Sequence, residues 1–460
     1  MTDNSEVSLA DLVTYCDEFN ASPKNRLVTN ALTTHKMTEV LKNRAVTTKY
    51  NFVYSKKIST EGKCCNQRSS GRCWMFALCN CMRINLMKKY NLDDSFEISQ
   101  AHLFFYDKLE KANFFLQNVI ETLDMDTDSR MIEHLFKDPL CDGGQWDMLV
   151  NLVNKYGVCP KQAFPENFNA TESRSMNWWL TYTLRNFGKE LRKMHNASSG
   201  DLTASNLQDA KKAMIKEFHK FLCLFFGQPP TQFDWTFYDK KDKKFHAFRD
   251  LTPVSFYQDH IRGMFDVDSK ISLINDPRNE YYKMYTVDRL GNVVGGKGIC
   301  YFNVPIEDMK EYAKKTIDND DPCWFGCDVG KYFARDIAVL DVNAFDYENA
   351  FDHKFEFNKE DRLRYGASLM THAMTLTGYD EEPNQPNPAK WRIENSWGEK
   401  GTDKGYLMMT DAWFDQFMYQ VVVDKSLIDD NSPIKDLVAN ASTTEPIVLP
   451  AWDPMGALAN

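Results

Sequence analysis

A chain of 460 residues is long enough for two or three domains, and with 43% hydrophobic and 13% aromatic residues it can bury substantial cores, which excludes a disordered protein. Its 65 acidic side chains outnumber 55 basic ones for a net charge of −10, so nucleic acid is not an expected partner. The segment Met1–Asn20 carries Asp3, Glu6, Asp11, Asp17 and Glu18 without an apolar core, unlike a secretory signal. No apolar run approaches the roughly 20 residues of a membrane span. The expectation is a cytoplasmic protein without membrane contact, whose 12 cysteines are free thiols.

In chain order, the first 55 or so residues combine a short amphipathic helix, Leu9–Phe19, with polar connectors and read as an arm over a larger body. Cys73–Tyr90 reads as a helix, with Trp74, Phe76, Leu78, Cys81, Met82, Ile84 and Met87 spaced to bury one face and basic residues at its end. A second helical region is expected over Ser99–Phe136, then a Gly143-Gly144 turn, then a helix Met148–Tyr156. The stretch 165–285 is charge-rich and reads as a mainly helical insertion. It holds an amphipathic segment Leu202–Phe226, a β-hairpin from Asp234–Asp239 and Lys243–Phe248, and a helix Val254–Met264 capped by Thr252-Pro253. Beyond Ile299 short β-rich stretches dominate (Trp324–Val329, Met370–Gly378, Lys390–Ser396, Gly405–Met409), interrupted by one helix, Ile306–Ile317. Helices first and strands last make an α+β chain.

The sharpest chemical signal is Gln67-Arg-Ser-Ser-Gly-Arg-Cys73-Trp. A glycine-containing loop delivers Cys73 to the first turn of a helix, where unpaired N–H groups and the helix dipole favour a thiolate. Most cysteines are small buried apolar residues; Cys73 is distinguished by its neighbours, whereas Cys64 and Cys65 lie in a polar loop and open no helix. Gln67, six residues earlier, is placed to donate its amide N–H to an oxyanion beside the Cys73 backbone N–H.

A thiolate needs a base, and the base needs an orienting partner. Among nine histidines, His372 lies in an alternating strand that ends at a glycine turn, and Asn395 lies in Glu-Asn395-Ser-Trp397-Gly, where a neutral amide can hold one imidazole nitrogen under the cover of Trp397. A metal site is not expected: Cys323-x3-Cys327 and Cys79-x-Cys81 lack paired partners, His-Glu-x-x-His is absent, and no cofactor is called for. The run Lys240, Lys241, Lys243, Lys244 is interleaved with Asp242 and reads as a solvated hairpin tip, not as a polyanion site.

Taken together, Gln-x5-Cys-Trp, His-Ala in a strand and Asn-Ser-Trp-Gly resemble the papain superfamily of cysteine peptidases. His372 follows Cys73 by about 300 residues, where the usual spacing is about 130–150, so an insertion is required and 165–285 supplies most of it. Ser69-Ser-Gly-Arg-Cys73-Trp, Gly143-Gly-Gln-Trp-Asp147, Trp324–Gly330, Leu369–Met374 and Asp453–Ala459 are similar to the bleomycin hydrolase and aminopeptidase C branch. The resemblance implies a papain-like two-lobed core, one lobe helical and one β-barrel-like, with a homohexamer built through the insertion. It implies catalysis by Cys73, His372, Asn395 and Gln67, with Trp74 and Trp397 in support, on peptide substrates. Gly143 and Gly144 would line the cleft. The final residues Ala451–Asn460, which by themselves read as a frayed tail, would lie in that cleft and pair the terminal carboxylate of Asn460 or Ala459 with the substrate amine. The expected division is an arm (1–60), a helical lobe (61–164), the insertion (165–285), a β-rich lobe (286–445) and the tail (446–460).

Overall fold

The computed structural model describes residues 6–197, 204–382 and 385–458. Its axis is the helix Cys73–Tyr90. Every residue from Cys73 to Ile84 is buried, so the helix is covered on all sides and not on one face as its apolar spacing suggests. The polar members that make this possible are paired. The Arg83 guanidinium meets the equally buried Glu394 carboxylate and donates to the carbonyl oxygens of Lys63 and Phe96, and Asn80 accepts from the Cys65 thiol at 3.3 Å. The helix ends at Asn91, whose left-handed conformation (φ 49°) returns its N–H to the Met87 carbonyl, with Lys88 and Lys89 in the last turn complementing the dipole.

On one side of this axis lie helices. Gln100–Glu121, capped by the Ser99 hydroxyl, packs against Arg174–Ala197 and Ala204–Phe226. The expected single helical region is two helices, Gln100–Glu121 and Arg130–Lys137. The hairpin strands are Phe233–Tyr238 and Phe245–Leu251, and their Trp235 packs edge-on to Tyr90 at the end of the axial helix. Thr252 and Ser255 form a reciprocal cap, with Pro253 in the first turn of the short helix that follows.

On the other side is a 12-stranded sheet. Its path runs Ile447–Leu449, Lys283–Val287, Tyr301–Asn303, Lys270–Ile274, Met418–Asp424, Cys323–Cys327, His372–Asp380, Lys390–Glu394, Tyr406–Thr410, Val339–Leu340 and Phe333–Ala334, with Lys56–Lys57 joining the His372 strand. Two of these strands, Lys270–Ile274 and Lys283–Val287, come from the stretch read as helical, and pair into the sheet beside Met418–Asp424 and Tyr301–Asn303. The His372 strand alternates in sequence yet is buried from His372 to Tyr379, Thr375 and Thr377 included, because the axial helix and Ile306–Asp318 both pack against it. Of the outlying segments, Leu9–Ala21 buries none of its residues. Among the described residues no helix is long and apolar enough to cross a membrane.

Candidate active site

The site forms where the start of the axial helix meets the start of the His372 strand. Cys73 is the first helical residue and fully buried. Its Sγ accepts from the backbone N–H of Ala373 at 3.4 Å, so the residue after His372 touches the sulfur. On the far side of the His372 ring, Nε2 lies 2.9 Å from Asn395 Oδ1. The same Oδ1 accepts from the Ser396 backbone N–H at 2.7 Å, which fixes the amide orientation. An oxygen at that point makes His372 Nε2 the protonated nitrogen and leaves Nδ1 with its lone pair. Trp397 covers the pair, its ring 4.9 Å from the imidazole and tilted by 31°.

The loop before Cys73 is stitched to the turn after Asn395. Gln67 N donates to Ser396 O, Gly398 N donates to Cys65 O, and Asn66 bridges to Trp397. Gly398 is required here: its φ is +80° and an added Cβ would lie 2.8 Å from the Asn66 amide nitrogen. Gln67 itself is held at both ends, Oε1 accepting from the Ser396 hydroxyl and Nε2 donating to Ser70 O. One of its two amide hydrogens is thereby used, and the second remains as a donor.

Asp142, unremarked in the sequence, organises the opposite wall. Its carboxylate accepts from Lys108 Nζ at 2.6 Å, Gly71 N at 3.0 Å, Ser173 Oγ and Asn177 Nδ2, and its carbonyl accepts from Trp74 Nε1 at 2.8 Å. Lys111 donates to the carbonyls of Cys141 and Gly143. The glycine turn therefore lies flat on Trp74, where a Cβ at Gly144 would stand 2.4 Å from the indole ring. Arg72, also buried, forms a two-pronged ion pair with Glu166 that locks the loop before Cys73.

Burial dominates the electrostatics. It pushes the Cys73 thiol up to about 12, against the N–H groups of Ala373, Trp74 and Cys73 itself, which favour the thiolate. It lowers His372 to about 4, against the Asn395 hydrogen bond, with the Arg335 charge lowering it further. The helix-start donors expected to favour a thiolate are thus present, and full burial opposes them.

The tail approaches the same cleft. Ile447–Leu449 pairs in parallel with Tyr285–Val287, the Arg130 guanidinium sits 4.0 Å over the Trp452 ring, and Asp453 accepts from Arg278 at 2.7 Å. Tyr301 donates to Met455 O, and Gln145 Nε2, next to the glycine pair, donates to Ala457 O at 2.6 Å. Ala459 and Asn460 lie outside the described residues. The structure thus brings together Gln67, Cys73, Trp74, His372, Asn395 and Trp397, with Gly143 and Gly144 against Trp74. Sequence reasoning missed Asp142, Lys108, Arg72 and Gln145, for which only the adjacency of Asp142 and Gln145 to the glycine pair was a cue.

Residues 6–456 match the model of the Peptidase C1-like family. The chain belongs to that family. It is 43% identical to mouse (Mus musculus) bleomycin hydrolase over 449 residues, covering 96% of each chain. It is 39% identical to aminopeptidase C of Streptococcus thermophilus, over 96% of this chain and 97% of that one. The crystal structure of PepW from Lactobacillus rhamnosis HN001 superposes with a TM-score of 0.94 at 38% identity, covering 99% of this chain and 100% of that one. The papain-like α+β fold expected from the motifs is therefore the fold of this family.

Proposed function

We propose that this chain is a cysteine aminopeptidase that removes N-terminal residues from peptides and related amides, the amide targeted by relatives named bleomycin hydrolase included. The observation that carries the reading is the convergence on Cys73 Sγ of the helix start and the Ala373 N–H, beside an imidazole whose far nitrogen is held by Asn395. Cys73 attacks the first peptide carbonyl as His372 Nδ1 takes its proton. The Cys73 N–H and the remaining Gln67 N–H hold the oxyanion, a role typically worth about 3–4 kcal/mol per donor. His372 then passes the proton to the leaving amine, and water activated by His372 hydrolyses the thioester.

The exopeptidase limit comes from the tail, a reading supported by the Ala457 carbonyl being fastened to Gln145 beside the glycine pair. The terminal carboxylate then meets the substrate amine. This reading keeps the expected division into arm, helical lobe, insertion, β-rich lobe and tail, in a cytoplasmic homohexamer. The unburied Leu9–Ala21 helix and the exposed Trp178 and Tyr182 on Arg174–Ala197 support self-association. The test is hydrolysis of fluorogenic aminoacyl amides by Cys73→Ala: turnover falls to background, and retained turnover overturns the assignment.

A further inference from the structure

One hollow beside the dyad has no part in the mechanism above. It holds about 160 Å³, and Asn395 and Trp397 form one wall while Arg335 and Lys400 stand at its rim. Its place in the reaction follows from the geometry. The tail is held at Gln145, so on the aminopeptidase reading the substrate's amino end lies on that side. The leaving amine must lie against His372, which protonates it, and the residues that follow extend away from the tail. Trp397 packs directly on the His372 ring, so the hollow it lines is on the leaving-peptide side.

Arg335 is fixed there by its backbone and by stacking. It sits at the tip of the hairpin formed by Phe333–Ala334 and Val339–Leu340, which is itself bound in parallel to Met408 and Met409. Its guanidinium lies 4.9 Å over the Trp397 ring and 5.2 Å over Phe333. Among the described residues it has no ion-pair partner. The nearby acids are spoken for or turned elsewhere: Asp336 pairs with Lys42 and Asp403 with Arg392, and Glu399 does not line the hollow. A planar cation held by stacking, unpaired, at the mouth of a cleft matches the geometry of a carboxylate.

We propose that Arg335, assisted by Lys400, is a specificity-determining residue that recognises a carboxylate on the leaving peptide. This rests on the aminopeptidase reading and adds to it a substrate preference. The carboxylate has two sources, an acidic side chain just beyond the scissile bond or the α-carboxylate of a di- or tripeptide.

The experiment measures kcat/KM of the full-length enzyme on two matched substrate pairs. One pair carries Asp or Asn directly after the scissile bond; the other is a dipeptide as free acid or as amide. The wild type is expected to favour the carboxylate member of at least one pair about fivefold, the size of a partly exposed charge contact. In Arg335→Gln the ratio falls toward one, and Arg335→Lys retains part of it. The pair that responds identifies the source. Ratios equal in the wild type and Arg335→Gln, with both enzymes active, overturn this proposal alone. Absence of any peptide turnover by the wild type removes the aminopeptidase reading and this proposal with it.

Discussion

Loosening the tail at Asp453 tests how the chain restricts itself to peptide ends. Asp453 accepts from Arg278 Nη2 at 2.7 Å, and both side chains are about nine-tenths buried. Arg278 also holds Asp276 at 2.7 Å. Truncating Asp453 to Ala therefore does not strand a buried cation, and the several kcal/mol of a broken buried pair do not apply. The loss is that of one charge-assisted hydrogen bond, about 2 kcal/mol, and of the cap that Asp453 Oδ1 gives the Met455 N–H at 2.8 Å, about 1 kcal/mol; together they correspond to about a 150-fold rise in the population of undocked tails. The other fastenings, at Gln145, Tyr301 and the Lys283–Val287 strand, keep the tail near the cleft. Cleavage of an N-acetylated peptide, which requires an open cleft, should rise by up to that factor in Asp453→Ala, while kcat/KM for an aminoacyl amide falls. The assay is mass spectrometry of the products from blocked and free versions of one peptide. If the blocked peptide is cleaved no faster by the variant while both proteins remain active, Arg278–Asp453 does not govern the tail.

Other perturbations separate positioning from chemistry. Asn395→Ala frees the imidazole that Asn395 Oδ1 orients at 2.9 Å, and kcat on aminoacyl amides should drop on the order of 10²-fold with little change in melting temperature. Gly144→Ala sets a Cβ 2.4 Å from Trp74 Cη2, so calorimetry should show a loss of about 1–3 kcal/mol together with a raised KM. Asp142→Asn leaves Lys108 buried without its counter-charge, and urea unfolding at pH 7 should register about 3–5 kcal/mol. Burial pushes the Asp142 carboxyl up, but the Lys108 charge and the Lys108, Ser173 and Gly71 donors hold it well below the usual range. Its stabilisation is therefore complete above the unfolded-state value of about 3.9 and is lost as pH falls below it, so the gap between wild type and variant should narrow below about pH 4.

What could be read from the sequence was what is decided locally. The axial helix begins at Cys73 and ends at Tyr90 as its apolar spacing and terminal lysines indicated, and Thr252-Pro253 opens a helical turn because a hydroxyl cap and a fixed φ act within four residues. Gln67, His372 and Asn395 are linked around Cys73, through Ser396, Asn395 and Ala373, because each stands in a short motif whose chemistry carries its own orientation. What escaped depends on partners far along the chain. Arg83 and Glu394 are 311 residues apart, Arg72 and Glu166 are 94 apart, and Arg278 and Asp453 are 175 apart. A charged residue is normally read as surface, and nothing near it in sequence reveals that its counter-charge lies in the core. The strands Lys270–Ile274 and Lys283–Val287 were hidden for a related reason: their burial comes from Met418–Asp424 and Tyr301–Asn303, not from alternation of their own.

The helix start and the enclosure act on Cys73 in opposite directions. Three backbone N–H groups favour a charged sulfur, while burial disfavours charge on both the thiol and the imidazole. In the proposed reaction the proton passes from Sγ to Nδ1 and places a positive charge on the ring. That ring is covered by Trp397, and Asn395 accepts from its Nε2–H without carrying a charge of its own. A carboxylate in the place of Asn395 would add a charge that stabilises the imidazolium and raises its pKa. The neutral amide fixes the ring orientation while leaving His372 able to give the proton up to the leaving amine, which is what a residue serving as base in one step and acid in the next requires.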